Sequence, residues 1–341
     1  NNSNNSNNNN NSNNCNNSNN INNNNKNNNK LENLGINDKI DIKDKNMKLN
    51  ILPENSNVYK YLGKLDKIIS RLREENISLE LINDRVLRKY SPTTDYNSRL
   101  LSQADKQVVF GNRIYKNIDA PKVYDIQENY FDMEYVAGKS FDEFFSISSV
   151  NDIEFVVSTL FDYFDTLIST ARNVDATKQI LDKLDSLKEK SSYPKYIEFL
   201  RKYVEDNRII IPHTFCHGDL TFANIIFHQN RLFFIDFLDC YVDTFLSDLV
   251  KLKQDLHHLW AVYNQDVYTV RIHQIYEYIW DKLEVRYTDY LTNGFHILDV
   301  MNALRIEPYL TSDSQRVILE GIVKSTELYA ISYCSDGGAI N

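Results

Sequence analysis

Apolar positions along the chain change their period four times, and each change marks a change of element. From Val58 to about Asn76, Leu62, Leu65, Ile68, Ile69 and Leu72 recur at spacings of three and four, which predicts a helix. Ile77 to Ile82 and Asp84 to Tyr90 then read as two strands around an Asn83-Asp84 turn, and Pro92 closes the second. A helix follows from about Asn97 to Ile114, with Leu100, Leu101, Ala104, Val108 and Val109 on one face. Residues 121–126 and 130–136 form a second strand pair that stops at Gly138. Beyond Ser140 the helical period dominates. Phe155, Val156, Leu160, Phe161, Phe164, Leu167 and Ile168 make a broad apolar face over 153–171, and further helices are expected near 177–190, 194–206, 245–260, 268–283, 295–306 and 313–334. These elements predict an α+β chain of two lobes, a small β-rich one over 46–137 and a large, mainly helical one over 138–341, with a cleft between them.

One stretch breaks the helical series. Phe215-Cys216-His217-Gly218-Asp219 and the following residues to Asn224 carry no period, and they run into two short apolar strands, Ile225-Ile226-Phe227 and Leu232-Phe233-Phe234-Ile235, with a turn over His228–Arg231. A hairpin brings its ends together, so Asn224 and Asp236 should lie side by side with Asp219 facing them. Two oxygen ligands for a hard cation, next to a carboxylate able to receive a hydroxyl proton, are what phosphoryl transfer from a magnesium nucleotide needs.

Composition narrows the classes. Residues 1–45 form an Asn-rich tail and linker with too little apolar surface to fold, so disorder is expected there. The formal net charge of −9 argues against a general binder of nucleic acid or anionic membrane. Cysteines at 15, 216, 240 and 334 follow no metal or disulfide spacing and read as reduced thiols. With no apolar run long enough to span a bilayer and no visible signal peptide, a soluble cytoplasmic protein is expected.

The motif His217-Gly218-Asp219, Asn224 five residues after that Asp, and Ile235-Asp236-Phe237 together resemble the signature of the aminoglycoside phosphotransferase and choline kinase-like family, small-molecule kinases of protein-kinase-like fold. Met133-Glu134-Tyr135-Val136 through Phe141 is similar to that family's connector between lobes, and Ser247-Asp248-Leu249 to the pair that opens the helix after the metal-binding Asp.

The resemblance implies that Asp219 orients the acceptor hydroxyl and that Asn224 and Asp236 hold Mg2+ on the phosphates of ATP or GTP. His217 would organise the loop, and the connector residues Met133, Glu134, Tyr135 and Val136 would meet the base. It also implies a phosphate-gripping Lys, assigned to Lys89; strand alternation leaves Arg88 as the rival. The carboxylate that pairs with such a Lys has no clear counterpart on the following helix, which offers Gln103, Asp105 and Gln107, with Asp105 as the candidate. The family's Gly-rich loop is missing too: Gly63 sits in a helical pattern, so either ordinary residues such as Glu54–Asn57 build the loop or the first strands are absent. Asp239 and Asp243 stand near the expected acceptor end and suit a cationic acceptor such as an amino sugar or choline, with Tyr241, Trp260, Tyr263, Trp280 and Tyr309 as aromatics for a quaternary ammonium. The reading is thus a small-molecule kinase with a sugar, amino sugar or amino alcohol as acceptor. A catalytically weak nucleotide-binding scaffold is the alternative, and a protein kinase is disfavoured by Phe237-Leu238 and the lack of an Ala-Pro-Glu stretch.

Overall fold

The computed structural model describes residues 78–91, 93–260, 270–310, 313 and 315–324. All of them belong to one compact unit, Tyr61–Asn341. The Asn-rich tail, the helix expected near 58–76, Gly63, Glu54–Asn57, Tyr263 and the end of the last helix lie outside the described residues.

The small lobe is a four-stranded antiparallel sheet of β1 (Ser78–Asn83), β2 (Val86–Tyr90), β4 (Val123–Gln127) and β5 (Tyr130–Glu134) in the order β1-β2-β5-β4. Helix α1 (Asn97–Gly111) buries Leu100 and Ala104 against Phe131 and Met133 of β5. Two residues, Ile118–Asp119 (β3), leave this lobe and pair in parallel with a strand of the large one.

In the large lobe, α3 (Val150–Ser169) is the helix expected over 153–171, and a short helix that the periodicity does not predict, α2 (Phe141–Ile147), precedes it. Ser149 separates them as the N-cap of α3, exchanging hydrogen bonds with Asp152 in a capping box. A short antiparallel ribbon joins β6 (Arg172–Asp175) to β7 (Ile210–His213) around α4 (Thr177–Lys188) and α5 (Pro194–Asp206). Periodicity misses this ribbon, because each strand is four residues long and β6 carries one aliphatic side chain.

The hairpin is β8 (Ile225–His228) and β9 (Arg231–Phe234). Its turn is shorter than the spacing suggests: only Gln229 and Asn230 turn, both at positive φ (47° and 57°), as a tight hairpin of matching twist requires. Alternation sends Ile225, Phe227, Leu232 and Phe234 into the core. Three helices complete the lobe: α6 (Phe245–Leu256), α7 (Val270–Arg286) and α8 (Asn293–Ile306).

Aromatic rings tie the lobes together. Phe110 at the end of α1 packs against Phe237 at 4.9 Å and Phe234 at 5.6 Å. Lys139 pairs with Phe227 by two backbone hydrogen bonds of 2.9 Å, which lays the connector on the hairpin. Gly138 allows that approach, since a Cβ there would sit 2.7 Å from the Phe227 carbonyl oxygen.

Candidate active site

The loop before the hairpin is held by one buried carboxylate. Asp248, in the first turn of α6, accepts the amide hydrogens of His217 (2.7 Å) and Gly218 (2.8 Å) and the Tyr163 hydroxyl (2.9 Å). Burial pushes its carboxyl up to about 6 against the opposing pull of those donors, so it is ionised at neutral pH. Gly218 lies at φ 91°, and a Cβ there would meet the Leu238 carbonyl oxygen at 2.0 Å. Only glycine combines that backbone with that approach.

His217 is fully buried. Its Nε2 donates to the Ile235 carbonyl oxygen (2.8 Å), and its Nδ1 accepts the Asp219 amide (3.2 Å), which assigns the neutral tautomer. Burial lowers its pKa to about 4, so the ring stays uncharged as it joins loop to hairpin.

Asp219 is half-buried, and two cations face it. Its Oδ1 lies 3.0 Å from Lys251 Nζ and 3.7 Å from an Arg305 guanidinium nitrogen. Burial alone would raise the carboxyl; Lys251 and Arg305 outweigh it and hold the carboxyl below its usual range. Asn224 donates its side-chain amide to the Asp219 carbonyl oxygen (2.8 Å) and to Oδ2 (3.2 Å). The Ile235 amide donates to the Asn224 carbonyl (3.0 Å), so Asn224 and the residue before Asp236 are clamped across the hairpin's open end.

Asp236 adopts φ 61°, a left-handed conformation rare outside glycine and frequent at functional positions. Its Oδ1 takes Lys89 Nζ at 2.7 Å, from a side chain only 2 % exposed. The neighbouring Arg88 points the other way, forking onto Asp132 (2.7 and 2.9 Å) over the Tyr130 ring. Alternation therefore separates the two cations as expected. It is Lys89 that crosses from the small lobe to the hairpin.

Other expectations meet different surroundings. Asp105 is exposed and away from Lys89. Gln103 is buried, with neither side-chain polar atom bonded among the described residues, and Gln107 donates to the Pro121 carbonyl. Met133 is a core side chain of the small lobe. The Glu134 and Tyr135 amides donate to the Lys122 and Arg85 carbonyls (both 2.8 Å), and the Val136 amide has no acceptor among the described contacts. Asp239 accepts Ser102 of α1 (2.6 Å), and Asp243 takes the Cys216 thiol (3.5 Å), so neither joins the group around Asp219. Thr244 is the N-cap of α6. Trp280 is core, which removes it from any exposed aromatic cage. Cys216 and Cys240, which lack any motif spacing, meet as free thiols with sulfurs 3.1 Å apart.

Sequence reasoning names Asp248 only as the opening of its helix and misses Lys251 and Asp255 on the same helix. Asp248, Lys251 and Asp255 recur at spacings of three and four along α6, all buried, inside an otherwise apolar face. Charged residues on a buried stripe are costly unless paired, and that anomaly is the signal that could have found them. Asp255 accepts the Phe222 amide (2.8 Å) and so anchors the far end of the loop.

Burial pushes the Asp255 carboxyl up to about 7, well above the usual carboxylate value. The folded chain then keeps a proton that the unfolded chain has released, and stability falls as pH rises from about 4 to 7. Asp255→Asn removes that slope. Its unfolding free energy relative to wild type should improve by up to about 2 kcal/mol between pH 5 and 7 in urea titrations; parallel stability curves would contradict the assignment.

Residues 157–284 match the model described as the phosphotransferase enzyme family. No curated protein matches the chain. Among solved structures it is similar to the gentamicin complex of APH(2'')-IIa, at 16 % identity over 80 % of this chain and 96 % of that one with a TM-score of 0.45. It is similar as well to the GDP complex of aminoglycoside 2'-phosphotransferase-IIIa (11 % identity, 78 % and 99 % covered, TM-score 0.47). A third is glucosamine kinase bound to glucosamine, ADP and inorganic phosphate (11 %, 80 % and 87 %, TM-score 0.43). The segment that matches the family model holds the loop, the hairpin and α6.

Proposed function

We propose that the protein transfers the γ-phosphoryl group of a magnesium nucleotide to a hydroxyl of a small molecule. One observation carries this reading: Lys89 Nζ lies 2.7 Å from Asp236, the amide of the preceding Ile235 bonds the Asn224 carbonyl at 3.0 Å, and the Asn224 side chain bonds Asp219, which links the small lobe to the loop. The donor set suits Mg2+. Asn224 spends its amide nitrogen on Asp219, leaving its oxygen to a cation, and Asp236 is a partly exposed carboxylate with a second oxygen beyond the one Lys89 holds. When bound, Mg2+ would neutralise charge on the phosphates.

The residues themselves do the rest. Lys89 holds phosphate oxygens in place, and the Val136 amide is the connector donor for the base. Asp219, kept ionised by Lys251 and Arg305, accepts a hydrogen bond from the acceptor hydroxyl and aims its lone pair. The bond between the γ-phosphorus and the β–γ bridging oxygen breaks and a bond to the acceptor oxygen forms. Nucleoside diphosphate leaves, and the hydroxyl proton passes by way of Asp219 to solvent.

Thermal shift with Mg-ATP and with Mg-GTP tests the reading. Wild type should gain several degrees with nucleotide plus Mg2+ and less with nucleotide plus EDTA, while Asp236→Ala should lose the metal-dependent part. A gain that ignores the metal favours the nucleotide-binding scaffold instead.

A further inference from the structure

A cavity of about 170 Å³ opens between the end of α4 and the last turn of α8. Its walls include Lys183, Ser186, Lys190, Ser191 and Arg305. Three cations thus converge on one small space in a chain of net charge −9. Nearby carboxylates are taken up elsewhere: Asp185 by Arg201, Glu198 by Lys188, and Glu307 by the Ser191 hydroxyl and the Ser192 amide. Neither Lys183 nor Lys190 has an ion-pair partner among the described residues, and the Lys183 ammonium rests 5.9 Å from the Tyr241 ring. Burial, with Arg305 and Lys190 adding repulsion, weakens the hold of Lys183 on its proton, the mark of cations gathered without a counter-charge.

Arg305 joins this space to the chemistry, since its guanidinium also lies 3.7 Å from Asp219. A cationic acceptor at Asp219 would be repelled by Lys251 and Arg305, and Lys183 and Lys190 add to the positive charge on the far side of Arg305. An anionic substituent would meet a guanidinium and two ammonium groups, a donor set for a carboxylate, phosphate or sulfate, while the Ser186 and Ser191 hydroxyls already donate to the Lys183 carbonyl and to Glu307. A larger open depression of about 640 Å³, lined by residues such as Phe161, Tyr278 and Arg286, contains none of the residues around Asp219.

We propose that the acceptor is a hydroxylated small molecule carrying an anionic group, with Lys183, Lys190 and Arg305 binding the anion while its hydroxyl meets Asp219. This rests on the phosphotransferase reading and narrows it, away from the cationic acceptors that Asp239 and Asp243 suggest.

Two measurements test it. In the first, melting of wild type and of the Lys183→Glu/Lys190→Glu double variant is followed in Mg-ADP, with sodium sulfate against sodium chloride at equal ionic strength. Both lysines are partly or fully exposed, so the variant should melt like wild type in chloride. Sulfate should raise the wild-type midpoint by about 2–4 °C more than the variant's, the shift expected of a site near tenfold saturation. In the second, Mg-ATP transfer is compared on glucosamine, glucuronate and glucose 6-phosphate. Wild type should prefer an anionic sugar over glucosamine by about tenfold in kcat/KM, a preference the variant should lose. Equal sulfate shifts in the two proteins, or turnover favouring glucosamine, would overturn the pocket assignment. A wild-type-only sulfate shift without nucleotide binding or transfer would keep the pocket and refute the phosphotransferase reading.

Discussion

Asp219→Asn should lower kcat by about a thousandfold while nucleotide affinity stays within a few-fold of wild type. The Asp219 carboxylate is anionic, partly exposed and faced by two cations, and an amide cannot accept the hydroxyl proton in its place. Magnesium and nucleotide affinity should persist because Asn224 keeps its stronger bond, to the Asp219 backbone carbonyl, and Asp236 keeps Lys89. The substitution has a folding cost as well. It leaves Lys251 buried opposite a neutral group, with Arg305 alongside, and the loss should be about 2–3 kcal/mol. Replacing both partners, as Asp219→Asn with Lys251→Met, should recover much of that stability and none of the rate. Full turnover by Asp219→Asn on the true acceptor would remove Asp219 from the reaction.

Asp248→Ala should be the most destabilising single change in the large lobe. Three donors lose their acceptor at once, the amides of His217 and Gly218 and the hydroxyl of Tyr163, all in a water-poor interior. Each stranded donor costs about 1–3 kcal/mol, less whatever an entering water recovers, so a loss of about 3–5 kcal/mol and a fall of about 10 °C in Tm follow. Asp248→Asn keeps the shape and part of the acceptor capacity and should lose roughly half as much. Activity should fall in both even below the melting range, because Gly218 and Asp219 move with the amides that Asp248 holds. A variant that melts like wild type would mean that the loop is held by the hairpin contacts alone.

Much of this site can be read along the chain. A loop with His217, Gly218, Asp219 and Asn224 at fixed offsets, followed by two apolar strands and an Asp, is local information. The hairpin makes it legible, because pairing of neighbouring strands brings residues twelve apart in sequence to one place without help from the rest of the fold. The shorter turn at Gln229-Asn230 was harder to see, since Asn tolerates positive φ without announcing it as glycine does.

What only the tertiary structure decided concerns contacts between distant segments. Alternation says that Lys89 and Arg88 face opposite ways, but which face looks into the cleft depends on where α1 packs on the sheet. The carboxylate expected on α1 is replaced by contact with Asp236, 147 residues away. The charged stripe of α6 becomes meaningful only once that helix lies under the loop, where Asp248, Lys251 and Asp255 find partners some thirty residues upstream. Cys216 and Cys240 meet for the same reason. Side-chain type and spacing specify local geometry and the kind of chemistry available; the packing of helices brings the cations Lys251 and Arg305 to Asp219.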